Sequence, residues 1–289
     1  MHGKRAVTGE RERKELLEVL IVGVLLVALT LGVALLLPEG HLLLTRPLWL
    51  DEYHTRFLAS EPSLRQLFRN LSRGADFNPP FLYLLLRPLA RTGEGLTRLD
   101  LRVFSYGTVF LSLNFLYWTL RRDYSKLPSL MGTLAVSAHP LVIHHSFDGR
   151  FYGPLLLFTS LLAFLLARAD SWNRGEKVLV AVASVGLCTI HYFGVLVLGL
   201  LLVGHWVLSG SWGGRTRGLG YLTAGPLALL LCIPLYLGQR VALPIPTWLP
   251  EPSLPRVWGF VEGYLTWLPL NAGVLDYGLR LRLGRRKGL

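Results

Sequence analysis

Residues 16–37 read LLEVLIVGVLLVALTLGVALLL, and twelve positions further on comes Trp49-Leu50-Asp51-Glu52. The first stretch is 22 residues of nearly unbroken apolar character. As one helix it is long enough to cross the ~30 Å hydrocarbon core of a bilayer. Upstream lie Lys4, Arg5, Arg11, Arg13 and Lys14, diluted by Glu10, Glu12 and Glu15. The positive-inside bias then puts residue 1 in the cytoplasm and residue 38 outside. Anchoring alone gives no reason for two carboxylates at the outer surface. Catalysis does.

Composition sets the class. Apolar residues make up 52% of the chain and the mean hydropathy is +0.43. That describes an integral helical membrane protein, all-α and polytopic. The net charge of +12 is not a nucleic-acid signature here. The basic residues sit mostly in short connections between apolar runs, where they set topology and touch anionic lipid. Cys188 and Cys232 fall inside apolar runs and imply no disulfide framework. The first helix is too long for a signal peptide, lacks a clear small-residue cleavage site and is followed by further spans.

Those spans are expected near 103–120, 127–143, 151–168, 178–192, 194–208 and 219–238, with one more near 257–279, for a bundle of about seven or eight crossings. The basic connections Arg121 to Lys126, Arg168 to Lys177 and Arg215 to Arg217 should be cytoplasmic. They agree with one another only if residues 38–102 form a single outer loop. The chain divides accordingly into a cytoplasmic tail (1–15), a transmembrane module (16–256) and a last span with a basic tail (257–289). The apolar piece Pro79 to Leu89 is too short for a span and is interrupted by Arg87 and Pro88, so it reads as juxtamembrane or re-entrant. Inverting the topology by making it a tilted span is the alternative. Leu64, Leu67, Phe68 and Leu71 recur at helical spacing behind Pro62 and Ser63, predicting an interfacial helix over 62–72 with Leu64, Phe68 and Leu71 toward the membrane.

A second polar segment shares the outer face by parity. It runs His139-Pro140, then His144-His145-Ser146-Phe147-Asp148-Gly149-Arg150-Phe151-Tyr152. A short turn between apolar helices needs none of these ionisable groups, which are costly beside hydrocarbon unless paired or functional. Two readings stand: an Asp148–Arg150 pair that orders the turn, or a polar site built from two distant loops. His191, between two more apolar runs, lies on the same face and reads first as a packing residue. His205 receives no function. Carboxylates and imidazoles converging on one face could hold a divalent metal, although no tight ligand spacing is present.

Four segments resemble the GT-C class of membrane glycosyltransferases, in particular the protein O-mannosyltransferase and aminoarabinose-transferase branch. They are Trp49-Leu50-Asp51-Glu52, Asp76-Phe77-Asn78-Pro79-Pro80-Phe81-Leu82-Tyr83, Leu101-Arg102 leading into a helix that ends Leu120-Arg121-Arg122, and His139-Pro140 through Tyr152. Asn78 stands where that family usually has His. Members usually continue through several more helices, so this chain is shorter than expected. The resemblance implies an inverting transfer of a hexose or pentose from a polyprenyl-phosphate donor to a hydroxyl of a glycan, lipid or protein. It implies a bacterial plasma-membrane enzyme whose site faces outward. Asp51 suits the general base and Glu52 an orienting group or metal ligand. Arg150 and Arg56 suit the donor phosphate, because a guanidinium matches phosphate bidentately. Asp148, Tyr152, His144, His145, Asn78 and His191 would line the site. A transporter or lipid flippase, and a non-catalytic truncated homologue, are the competing readings.

Overall fold

A computed structural model describes residues 17–18, 21–28, 32, 45–92, 95–169, 172–209, 216–242 and 255. Among these, all regular structure is helical. Residues 1–243 form one compact unit and residues 244–289 another. The expected last span near 257–279 and the basic tail lie outside the described residues, as does the Arg215 end of the third basic connection.

The described residues of the segment expected as an outer loop fold into three helices: α1 (Leu50–Ala59), α2 (Leu64–Ser72) and α3 (Phe81–Ala90). Glu52 closes the start of α1 by accepting from the Trp49 backbone N–H at 3.1 Å, so one motif residue is also the helix cap. Ser63 caps α2, its Oγ accepting from the Gln66 N–H at 3.2 Å, as its sequence suggests. The apolar stripe of α2 is split. Leu64 and Phe68 face outward, but Leu67 and Leu71 are fully buried. Leu71 therefore does not face the membrane as expected. It packs in a core with Leu58, Leu82 and Leu86, and α2 is covered by α1 and by the later Ile233–Ala242 helix.

α4 (Arg98–Asp123) is the spine of the bundle. Thr97 and Asp100 bond reciprocally at its start, Thr97 N–H to Asp100 Oδ2 at 2.7 Å and Asp100 N–H to Thr97 Oγ1 at 3.2 Å. α5 (Lys126–Ser137) and α6 (Pro140–Ser146) replace the single span expected over 127–143. Pro140 lacks the N–H that a continuous helix needs, and His139 instead accepts from the Leu141 N–H at 3.2 Å. α7 (Tyr152–Leu166), α8 (Arg174–Ile190) and α9 (Gly194–Ser209) follow, then a 3₁₀ turn (Thr216–Thr223), α10 (Ala224–Leu231) and α11 (Ile233–Ala242). α4 packs most extensively on α7. The seam is lined by small residues. A Cβ on Gly153 would stand 2.4 Å from Thr108 Oγ1, and Ser160 Oγ meets Ser112 Oγ at 2.9 Å. Close packing through small and hydroxyl residues is how helices associate where lipid supplies no hydrophobic drive.

Arg98–Asp123 and Gly220–Ala242 are long and apolar enough to cross a bilayer, while Phe81–Ala90, Tyr152–Leu166 and Gly194–Val207 are apolar but shorter. Around them Val178, Val182, Leu196, Leu200, Val203, Leu227, Leu230 and Leu231 stand exposed. So many exposed apolar side chains on apolar helices suit hydrocarbon, not water. The chain is a membrane protein by this criterion. At the Arg121 end of α4, Glu18 accepts from Tyr117 Oη at 2.6 Å and Arg121 Nε at 2.9 Å, and pairs with Lys126 Nζ at 2.6 Å. The one acid inside the first apolar run is thereby matched. The site residues gather around Arg102, ~29 Å away along the same helix at 1.5 Å per residue.

Candidate active site

The two motif carboxylates have separate environments. Glu52 is fully buried. Its oxygens accept from both terminal nitrogens of Arg102, Nη1 on Oε1 and Nη2 on Oε2, the latter at 2.9 Å. The Gly149 N–H donates to Oε1 at 2.8 Å and the Trp49 N–H to Oε2 at 3.1 Å. Arg102 Nη1 also reaches the Phe147 carbonyl. One side chain of α1 thus clamps the start of α4 and the 147–149 turn together. Gly149 is required by that approach: a Cβ there would lie 2.9 Å from Leu101 Cβ and 3.3 Å from Glu52 Oε1.

Asp51, one residue earlier, points elsewhere. Its side chain is 42% exposed, against 8% for Asp76 and 6% for Arg150. Arg150 Nη1 donates to Asp76 Oδ2 at 2.6 Å, to the Asp51 carbonyl at 2.9 Å and to Thr55 Oγ1 at 3.0 Å. Its Nη2 reaches Asp76 Oδ1 at 3.4 Å and stands 3.7 Å from Asp51 Oδ2. Burial pulls the guanidinium down, but the Asp76 hydrogen bond and charge outweigh it and hold the pKa above its usual value. Asp76 is itself fixed. The Phe77 N–H donates to its Oδ1 at 2.6 Å and Asn78 Nδ2 to the same oxygen at 2.9 Å. Gln239 Nε2 from α11 donates to the Asp76 and Asn78 carbonyls at 2.9 and 3.2 Å, and Tyr192 Oη donates to Gln239 Oε1 at 2.7 Å. Of the three carboxylates, Asp51 alone opens to the surroundings.

Asp148 lies at the next turn of this network. Trp49 Nε1 donates to its Oδ1 at 3.3 Å, and His145 Nδ1 meets its Oδ2 at 3.2 Å. Ser105 Oγ donates to its backbone carbonyl at 2.5 Å. Burial raises its pKa, but the bonds from His145 and Trp49 outweigh that and leave it below the ordinary carboxylate range. The His145 ring stacks on Tyr152 with centroids 3.8 Å apart, and His144 meets His145 edge-on at 5.1 Å. Although its surface is exposed, partial desolvation by the groups around its ring, then the charges of His145 and Arg46, push His144 down. Arg46 is half-buried, and its Nε and Nη2 have no hydrogen-bond partner among the described residues. His191, in the loop after α8, meets Phe151 at a tilt with ring centroids 4.2 Å apart and accepts from the Phe193 N–H at 3.1 Å. Burial first, then the Arg150 charge, pushes it down to about 4.

The fold therefore gathers Asp51, Glu52, Asn78, His144, His145, Asp148, Arg150, Tyr152 and His191 at one end of the bundle. Arg56 does not join them. Five residues after Asp51 it lies ~140° around α1, exposed, in a groove of about 460 Å³ with Tyr53, Phe57, Ser60 and Pro62. Asp76, Arg102, Trp49 and Gln239 carry the network without having been singled out as site residues. For Asp76, Arg102 and Trp49 a signal was present, since all three sit inside the motif segments. Gln239 had none.

No protein-family model matches the chain, and no curated protein matches it by sequence. Among solved structures it is similar to the S. cerevisiae protein O-mannosyltransferase Pmt1–Pmt2 complex bound to the sugar donor, with 19% identity, a TM-score of 0.48, and coverage of 78% of this chain and 33% of that one. The chain thus spans about a third of the length of that protein. A likeness at this level carries no functional argument.

Proposed function

We propose that this protein is a membrane glycosyltransferase that moves a sugar from a polyprenyl-phosphate donor to an acceptor hydroxyl at the non-cytoplasmic face, with inversion. The observation that carries the reading is the accessibility of Asp51, whose side chain is 42% exposed and has, among the described residues, only the 3.7 Å contact with Arg150. Glu52 and Asp76 are consumed by Arg102 and Arg150, which leaves one accessible carboxylate on a rigid helix start, within the motif that resembles the GT-C acidic motif.

Asp51 takes the proton from the acceptor hydroxyl as its oxygen attacks the anomeric carbon. The bond from that carbon to the phosphate oxygen breaks, and the prenyl phosphate leaves. General-base assistance of this kind contributes about 10²–10⁴ in rate. Arg150 positions Asp51 and the Asp76 loop, because its nitrogens are already engaged. Arg46, five residues before Asp51 with two unpartnered nitrogens, is the better phosphate ligand. Glu52 holds the turn that carries Arg150. The apolar surface of the bundle receives the prenyl chain.

The test is transfer by the purified full chain from a synthetic polyprenyl-phosphate sugar to a panel of hydroxyl acceptors, with Asp51→Asn as the control. Transfer by the wild type and its loss in the variant support the reading. Equal transfer by both removes Asp51 as base, and no turnover of any donor removes the transferase.

A further inference from the structure

We infer that His144, His145 and Asp148 form a binding site for a zinc-type divalent cation. The inference does not depend on the transferase reading. One ligand atom from each residue lies within 4.8 Å of the other two. His145 Nδ1 and Asp148 Oδ2 are 3.2 Å apart, close to the ~3.4 Å between two ligands on a tetrahedral ion with arms of ~2.1 Å. A hydrogen bond would explain that pair by itself. It does not explain His144, whose ring is brought edge-on to His145 at 5.1 Å while its side chain stays exposed.

The surroundings are built as ligand supports are. Trp49 Nε1 occupies Asp148 Oδ1 at 3.3 Å and leaves Oδ2 turned to the imidazoles. Ser105 holds the Asp148 backbone, and Tyr152 stacked at 3.8 Å fixes the plane of the His145 ring. Such outer contacts orient ligands and are worth about 10–100-fold in affinity at known sites. Two imidazoles with one carboxylate favour zinc over calcium or magnesium, which prefer oxygen ligands. Three protein ligands leave a coordination position for water or an added anion. Arg46 opposes the site, since its charge acts directly on His144.

The full chain, freed of any affinity tag and stripped with chelator in detergent, is titrated with Zn²⁺ by calorimetry and with Co²⁺ by visible absorption. One ion per chain is expected, with the intense bands of four-coordinate cobalt. His144→Ala and His145→Ala should each weaken binding about tenfold or more. Arg46→Gln should tighten it, and His139→Ala should leave it unchanged. His144 is exposed, so its variant keeps the fold, which circular dichroism and the melting temperature check. Absence of saturable binding overturns the site. So does unchanged affinity in His144→Ala, which would reduce the cluster to a His145–Asp148 ion pair.

Discussion

Asp51 and Glu52 are neighbours in sequence and opposites in structure. Glu52 is fully buried and takes four hydrogen bonds, two of them from Arg102. Asp51 is 42% exposed, and its nearest cation, Arg150, is spoken for by Asp76. Consecutive helix positions are ~100° apart, so one faces the bundle and the other the opening. The acidic pair is thus a division of labour. One carboxylate builds the scaffold, and the second remains chemically available.

The sharpest way to break this contrast is to remove each charge in turn. Asp51→Asn should lower transfer by about 100- to 10,000-fold, with a melting temperature close to wild type. Asn is nearly isosteric but takes no proton at neutral pH. Glu52→Gln should show the reverse order. It leaves Arg102 buried without a counter-charge, a change that typically costs about 3–5 kcal/mol. Thermal unfolding in detergent should record a large loss, and the activity that survives should follow the folded fraction. A Glu52→Gln protein as stable as wild type but inactive would place Glu52 in the chemistry and collapse the distinction.

Gln239→Ala sharpens it from the far end of the chain. The amide holds the Asp76 and Asn78 carbonyls and accepts from Tyr192. Its loss leaves buried acceptors unsatisfied, at about 1–3 kcal/mol. Transfer should fall modestly as Asp76 and Arg150 lose their register against Asp51, and a stability measurement alongside separates the two effects.

The smallest effect concerns pH. The folded chain holds His191 down at about 4, whereas an unfolded chain protonates it near 6.5. Between those values the unfolded state binds more protons, so stability rises with pH. The contribution is complete above about 6.5 and is lost as pH falls toward 4. Melting temperatures of the wild type should drop over this window more than those of His191→Asn. Parallel curves would mean His191 is not part of the buried network.

Much of this was written in local patterns. Hydropathy located the helices, because an apolar run of sufficient length has few other fates beside a membrane. The Ser63–Gln66 helix start was equally legible. Boundaries were less so: Pro140 divides 127–143 into two helices, and the helix expected to end at 192 stops at Ile190. Leu71 was assigned outward on periodicity alone, which finds an apolar stripe without saying whether lipid or protein covers it.

By itself the sequence determined the class of protein, the helical runs, the acidic pair and the polar turn at 144–152. Tertiary structure alone decided which groups are free to act. Arg150 bonds a carboxylate 74 residues away and Arg102 one that is 50 away. Arg56, only five positions from Asp51, points to another face. Charge pairing depends on distance through space and on burial, and neither is encoded in spacing along the chain. So the contacts of Asp76 and Gln239 with the Arg150 network, the separation of Arg56 from it and the clamping contacts of Glu52 emerged only once the helices were packed.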